Sequence, residues 1–383
     1  MKITIAPDSY KECLPSPGVA RAMAAGVRRA LPGAELAVVP MADGGEGTAR
    51  AIVEATGGRM LSATVADPFG RPVTAEWGFC GDGCTAVVEM AQASGLERLA
   101  PAERDPMRAS TRGTGQLIRQ ALDAGARRIL IGIGGSATVD GGMGMAAALG
   151  VRFLDVRGQP IGDCCGGRLA DVAAIDPASL DERIPRTEIV VASDVTNPLT
   201  GPLGAALVFG PQKGATPEQA RQLDRGLASL ARLIETQLGV AVDALPGAGA
   251  AGGLGAGLVA FLGARIRSGV ETVIEVARLD ERMQGSALVL TGEGRLDGQT
   301  VHGKTVAGVA AAAARHGIPV VALAGSLQPG YEALYGRGVV CALSIVDRPM
   351  DLAAAMADAP GLLERAAESV VRLWSAAGGG GHV

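Results

Sequence analysis

At 383 residues the chain is longer than one hydrophobic core usually organises, so its length predicts two domains. Hydrophobic residues at 48% with 19% charged exclude a disordered or fibrous chain. A net charge of −4 leaves no basic footprint for nucleic acid or an anionic membrane.

The first residues, MKITIAPDSYKE, read as a strand. Their apolar run is too short for a signal peptide and lacks a cleavage-like end. Residues 2–7 and 35–41 are strand-like around a helical segment at 17–31. Between 61 and 90, MLSATVAD, PVTAEWGF and TAVVEM alternate between the turn signals DPFGRP and GDG, the pattern of an antiparallel patch. A helix at 113–125, the strand RRILIGIGG, a helix from about 140 and the strand VRFLD follow. EIVVASD and ALVFG then read as buried strands, with a long helix at 216–238. Residues 244–264 are uncharged and long enough to span a bilayer, but Gly and Pro make them loop-like. SALVLTG, a helix at 303–315, PVVALAG, VVCALSIVD and a helix at 360–375 complete the chain before a frayed GGGGHV tail.

The first two and last three strands would form a five-stranded parallel sheet. The fold class is therefore α/β in two domains. A discontinuous Rossmann-like domain (1–60 plus 265–383) receives an inserted mixed α/β domain (61–264), with the active site expected in the inter-domain cleft. Six Cys without metal-like spacing and only three His argue against zinc and for free thiols in a reducing cytoplasm.

Two short patterns suggest nucleotide chemistry. GQTVHGKT (298–305) satisfies G-x-x-x-x-G-K-[ST], the phosphate loop of P-loop hydrolases, with Asp347 as a possible partner acid. However, its strand is expected to end near Leu290, so GEGRLD intervenes and brings Glu293 and Asp297 beside the supposed phosphate cradle. RRILIGIGGSA fits G-x-G-x-x-A, with Asp155 where a dehydrogenase would hold the NAD ribose. There Asp140 would face the pyrophosphate, unless it merely caps a helix.

Of 35 basic residues only Lys2, Lys11, Lys213 and Lys304 are Lys, and Asn197 is the one Asn. Codon drift toward Arg and Ala accounts for this. Under such drift, a Lys or Asn that persists marks a place where a compact point charge or an amide has its own chemistry.

In order, IAPDSYKECL, ADGGEGT, IGIGGSATVDGG, SDVTNPLTG, FGPQKGA, PGAGAAGGLG, TGEGRLDGQT and HGK resemble bacterial glycerate kinases of the type that is neither P-loop nor sugar-kinase-like. The resemblance runs from Met1 to about residue 375. Tyr10 stands where that family usually has Phe, Cys13 where Ser is common, and Val139 where Asn is usual. Thr305 and Val306 replace a small apolar residue followed by Pro, which is what completes the phosphate-loop pattern. The resemblance implies a flavodoxin-like domain beside a second α/β domain. It also implies ATP-dependent phosphorylation of D-glycerate with Mg²⁺, giving 2-phosphoglycerate, or 3-phosphoglycerate as the alternative. The implied partners are small molecules, without nucleic acid or membrane, and the oligomeric state stays open.

Phosphoryl transfer needs cations on the phosphates, a metal-holding acid and a group orienting the attacking hydroxyl. Lys11, Lys213 and Lys304 are candidate phosphate or carboxylate contacts. Asp8 and Ser9 follow the first strand; Asp43, Gly44, Gly45 and Glu46 follow the second, at the edge where ligands bind, although ADGGEGT could also be a helix cap. Ser136 and Thr138 lie in a Gly-rich loop suited to an anion. Asp194 with Asn197 could hold metal or supply a base, or form a turn into Pro198. Glu293, Asp297 and Asp194 are the candidate Mg²⁺ ligands. The base is expected to be Asp194, then Asp297, with Lys11 completing the catalytic set, while His302 reads as loop packing. On this reading Lys304 matters to activity and Thr305 does not.

Overall fold

The computed structural model describes residues 1–301 and 304–378, so His302, Gly303 and the tail lie outside the described residues. In chain order the strands are β1 (Lys2–Ile5), β2 (Glu35–Val38), β3 (Arg59–Ala66), β4 (Pro72–Phe79), β5 (Thr85–Glu89), β6 (Arg128–Gly132), β7 (Arg152–Leu154), β8 (Ala174–Asp176), β9 (Glu188–Ala192), β10 (Arg265–Arg267), β11 (Ser286–Leu296), β12 (Val320–Leu327) and β13 (Val339–Ser344). The chain divides into two compact units. The first is Met1–Asp43, Arg50–Gly57 and Val270–Val383; the second is Gly44–Ala49 and Gly58–Gly269.

The first unit holds a five-stranded sheet in the order β13-β12-β11-β1-β2, parallel throughout. Its strands are near-continuous apolar runs because helices cover them. Ile3, Ile5, Leu288, Leu290 and Leu323 are fully buried in its core. Helix Ser16–Ala30 starts on a Pro at its first turn and ends on Arg28 and Arg29, where the helix dipole favours positive charge. It packs along Ala359–Ala376, and a Cβ built on Gly26 would lie 2.1 Å from the Glu364 carbonyl oxygen.

The second unit holds a six-stranded sheet in the order β10-β9-β6-β5-β4-β3. β3, β4 and β5 pair antiparallel through the turn signals, while β5, β6, β9 and β10 run parallel. Val88, Ile129, Ile131 and Val191 carry its core. No helix among the described residues is long and apolar enough to cross a membrane.

Three expected elements differ. ALVFG is not a strand but the helix Ala205–Phe209. Ala205 and Ala206 are buried and Val208 is 39% exposed, so burial follows a helical face rather than alternating. VRFLD contributes β7, but β7 pairs antiparallel with β8 in a separate ribbon and never enters the parallel sheet. The second strand of a dinucleotide-binding unit is therefore missing where Asp155 required it. Asp155 instead accepts the Arg157 and Gln159 amides in a turn. Finally, much of 244–264 is the helix Ala250–Leu262, entered through Ala251, Gly252 and Gly253 at positive φ.

Gly26→Ala should lower stability by about 1–3 kcal/mol, because the clash outweighs the better helix propensity of Ala. Chemical denaturation measures this, and an unchanged midpoint would contradict the packing described.

Candidate functional site

In the first unit the ladder between β1 and β11 continues past β1. The Ala6 amide donates to the Leu290 carbonyl (2.8 Å) and the Asp8 amide to Gly292 (2.8 Å). This register sets Asp8, just beyond the end of β1, near Glu293 in the carboxyl-terminal half of the adjacent parallel strand β11. Asp8 is buried; it accepts from the Ser9 amide at 2.6 Å and from the Thr305 hydroxyl. Glu293 accepts from the Thr300 hydroxyl at 2.9 Å.

These acids are crowded. Burial, then the negative charge of Asp43, push Asp8 up to about 6 against the lowering hydrogen bonds from Thr305 and Ser9. Burial pushes Glu293 up to about 7, with Asp8 and Asp43 adding to it; the Thr300 bond and the Lys304 charge pull the other way. Among the described residues, the hydrogen bonds of Thr305, Ser9 and Thr300 and the charge of Lys304 offset these upward shifts only in part.

Asp297 is different. Its Oδ2 lies 3.2 Å from Arg295 Nε and its Oδ1 accepts the Gln299 amide at 2.9 Å. Burial, which would raise its pKa, is outweighed by the Gln299 amide and the charges of Lys304 and Arg295, so it lies below the usual range. Lys304 is half-buried at the N-cap of helix Thr305–Arg315. Lys11 is exposed in the turn after Tyr10, and Ser9 is half-buried.

The phosphate-loop match dissolves in this geometry. β11 does not end near Leu290 but runs through TGEGRL to Leu296, and a turn follows. Thr305, fully buried, spends its hydroxyl on Asp8. Asp347 pairs with Arg365 (2.6 Å) and Arg348 (2.9 Å) rather than serving as a nucleotide-loop acid. The expectation that Thr305 is idle changes accordingly, since it orients a buried carboxylate.

In the second unit the loop after β6 is held from below. Lys213 is 2% exposed; its Nζ donates to Ser136 Oγ at 2.6 Å and to the Thr138 carbonyl at 2.7 Å. Burial lowers its pKa to about 7, opposed by the charge of Asp140. Lys213 thus directs its ammonium at the loop itself, through Ser136 and the Thr138 carbonyl. Ser136 is 6% exposed, and Thr138 is fully buried with no partner for its Oγ1 among the described residues.

Asp140 does not face a pyrophosphate either. Fully buried, it accepts from the Thr111 amide (2.7 Å) and hydroxyl (2.8 Å) and from the Gly142 (3.0 Å) and Gly144 (3.3 Å) amides. Beneath lies the second Gly-rich motif: Gly141 donates to the Gly252 carbonyl at 3.1 Å, and a Cβ on Gly252 would meet the Thr138 oxygen at 1.9 Å.

Gly44, at φ +89, packs on Ala192 of β9, Gly45 is half-buried and Glu46 is exposed. Glu89, which the sequence reading passed over, anchors this segment by accepting the Gly47 (3.2 Å) and Ala49 (2.7 Å) amides. The only sequence signal was an acid closing the apolar strand TAVVE. Asp194 is exposed after β9 and accepts the Gly269 amide at 3.1 Å. Asn197 donates to the Leu203 carbonyl at 2.8 Å, shaping its own loop. Elsewhere in this unit Phe69, Arg71, Arg104 and Arg108 line a cavity of about 570 Å³, and Arg71 there pairs with Asp67 and Glu103.

A parallel-sheet unit ending in crowded acids beside a lysine, and a second unit with a braced glycine loop, define a phosphotransferase of the α/β class. The chain belongs to the glycerate kinase family, whose model matches residues 3–375. It is 51% identical over 375 residues to a glycerate kinase of Halalkalibacterium halodurans, covering 97% of this chain and 98% of that protein. It is 49% identical over 346 residues to a glycerate 2-kinase of Escherichia coli, covering 90% and 91%. A crystal structure assigned to glycerate kinase 2 of Salmonella typhimurium superposes with a TM-score of 0.91 at 48% identity, covering 99% of each chain.

Folded Asp8 titrates above the unfolded chain, so between about pH 4 and 6 the folded protein keeps a proton that the unfolded one has lost. Stability contributed by protonated Asp8 is present at low pH and falls as pH rises through that window. In metal-free buffer Asp8→Asn should therefore raise the thermal midpoint at pH 7.5, by roughly 1–3 kcal/mol of stability, with the gain shrinking toward pH 4. Thermal melts across pH test this; a destabilised variant at pH 7.5 would refute the crowding.

Proposed function

We propose that this enzyme phosphorylates D-glycerate with ATP at the 2-hydroxyl, giving 2-phosphoglycerate and ADP. Transfer to the 3-hydroxyl is the alternative. The observation that carries the reading is the Asp8–Glu293 corner with Lys304 beside it, within a chain of the glycerate kinase family. The name of the Escherichia coli relative supports the 2-position. Six free cysteines support a reducing, cytoplasmic setting.

We take Asp8 as the base, supported by its burial beside Asp43 and its raised pKa. A carboxylate near 6 is largely ionised at neutral pH, yet more basic than an exposed one, which suits it to take the hydroxyl proton as the oxygen attacks. Thr305 fixes its second oxygen. Asp194, exposed at the end of β9, is the second candidate, whereas the Arg295 ion pair makes Asp297 the weaker base. Lys304, and Lys11 from its exposed turn, supply cations for anionic oxygens, and Ser136, with the amides of its loop, supplies donors.

Among the described residues no three acids, His or Cys are grouped to cage a metal ion. Mg²⁺ would arrive on the nucleotide and be held by one or two carboxylates, with Glu293 the first ligand the first unit offers and Asp297 a further one. When bound, the ion would neutralise developing phosphate charge. Glu293 meanwhile keeps its carboxylate turned by Thr300.

Purified protein with MgATP should release ADP only when D-glycerate is present, and ³¹P NMR should show 2-phosphoglycerate. No ADP release with glycerate overturns the reading. Asp8→Asn should cut kcat by about 10²–10⁴-fold and remove the rise in rate with pH through about 6. Lys304→Ala should lower kcat/KM about tenfold or more, and Thr305→Val should weaken activity through Asp8 without abolishing it.

A further inference from the structure

The loop that leaves β6 offers donors, and the structure beneath it bears on what keeps them in place. Gly134 and Gly135 are exposed at the carboxyl end of that strand, and Gly135 sits at φ +73. Among the described residues the amides of Gly134, Gly135 and Ser136 donate to no protein acceptor. Their neighbours do: the Ala137 amide bonds Ser94 at 2.9 Å, and the Gly135 carbonyl accepts Leu96 at 2.8 Å. Successive free amides around a left-handed residue form a concavity that binds anionic oxygen.

Directly beneath it lies a buried ammonium. Lys213 holds Ser136 Oγ and the Thr138 carbonyl, and no carboxylate lies within ion-pair distance of it among the described residues. Asp140 fixes the far end of the same loop through four hydrogen bonds. The Thr138 hydroxyl, fully buried, has no partner among the described residues. A buried cation is costly, and an apolar side chain of similar length would fill this space at less cost. The loop above it is what the charge acts on.

We propose that Lys213 is a positioning residue: through Ser136 and the Thr138 carbonyl it holds the 134–136 amides open as a cradle for the anionic oxygens of a substrate, phosphate or carboxylate. This deepens the kinase reading and rests on it. Its test therefore includes equilibrium binding, which stands apart from turnover.

Calorimetry with ATP and, separately, with D-glycerate should be run on wild type, Lys213→Met and Ser136→Ala, alongside kinetics and thermal melts. Lys213→Met is expected to melt at or above the wild-type temperature at pH 7, yet to bind one of the two ligands about tenfold more weakly. The loss should appear mainly in KM for that same ligand, and hydrogen exchange at the Ala137 amide, bonded to Ser94, should quicken. Loss confined to ATP assigns the cradle to phosphate; loss confined to glycerate assigns it to the carboxylate. Ser136→Ala removes the loop end of the contact and should shift the same ligand, which keeps the test decisive if Lys213→Met does not fold. Affinities for both ligands within twofold of wild type in a folded variant would overturn the proposal, whereas wild type that binds both ligands without turnover would overturn the kinase reading instead.

Discussion

The parallel pairing of β1 with β11 is the constraint from which the rest follows. Lys2–Ile5 lies against Ser286–Leu290 although some 280 residues separate them. A parallel neighbour cannot be reached by a tight turn, so the chain must leave and return. Here it builds an entire second unit before returning. The same pairing fixes the chemistry. Because both strands point the same way, Asp8, just beyond β1, and Glu293, in the carboxyl-terminal half of β11, arrive together inside a low-dielectric corner that neither acid would occupy for stability.

That corner illustrates how function and stability pull apart. Two buried carboxylates with Asp43 nearby repel one another, and each shifts toward its protonated form. A fold selected for stability alone would place amides there. Keeping the acids makes sense if a ligand brings positive charge to them, to which Lys304 adds from the protein side. The second unit shows the opposite sign of the same design, a buried Lys213 under a glycine loop.

Much of this was legible in the sequence. The five parallel strands were readable because each is an apolar run; Asp8 was singled out because it follows the first of them, and Glu293 because it lies in the acidic insert before GQTVHGKT. What was not legible had specific causes. ALVFG is too short for its periodicity to separate helix from strand, and the burial of one face decided it. The Gly-rich loop around Ser136 and Thr138 read as suited to an anion, whereas Gly141 and Gly252 are there because two backbones touch. Lys213 sits in a loop-like motif, and nothing in FGPQKGA shows that its side chain turns inward. Thr305 looked like an accident of a pattern, and its partner Asp8 is 297 residues away. Glu89 was overlooked for the same reason: its role is to receive amides from residues some 40 positions earlier.

The central claim is that the first unit carries a crowded acid pair of raised pKa, ready for a cation-bearing substrate. The most direct measurement is ¹³C NMR titration of the Asp and Glu carboxyl carbons, with Asp8→Asn and Glu293→Gln used to assign the two signals. The account predicts apo-protein midpoints near 6 for Asp8 and near 7 for Glu293, both moving downward when MgATP is added. Midpoints near the ordinary carboxylate values of about 4, unmoved by MgATP, would contradict it.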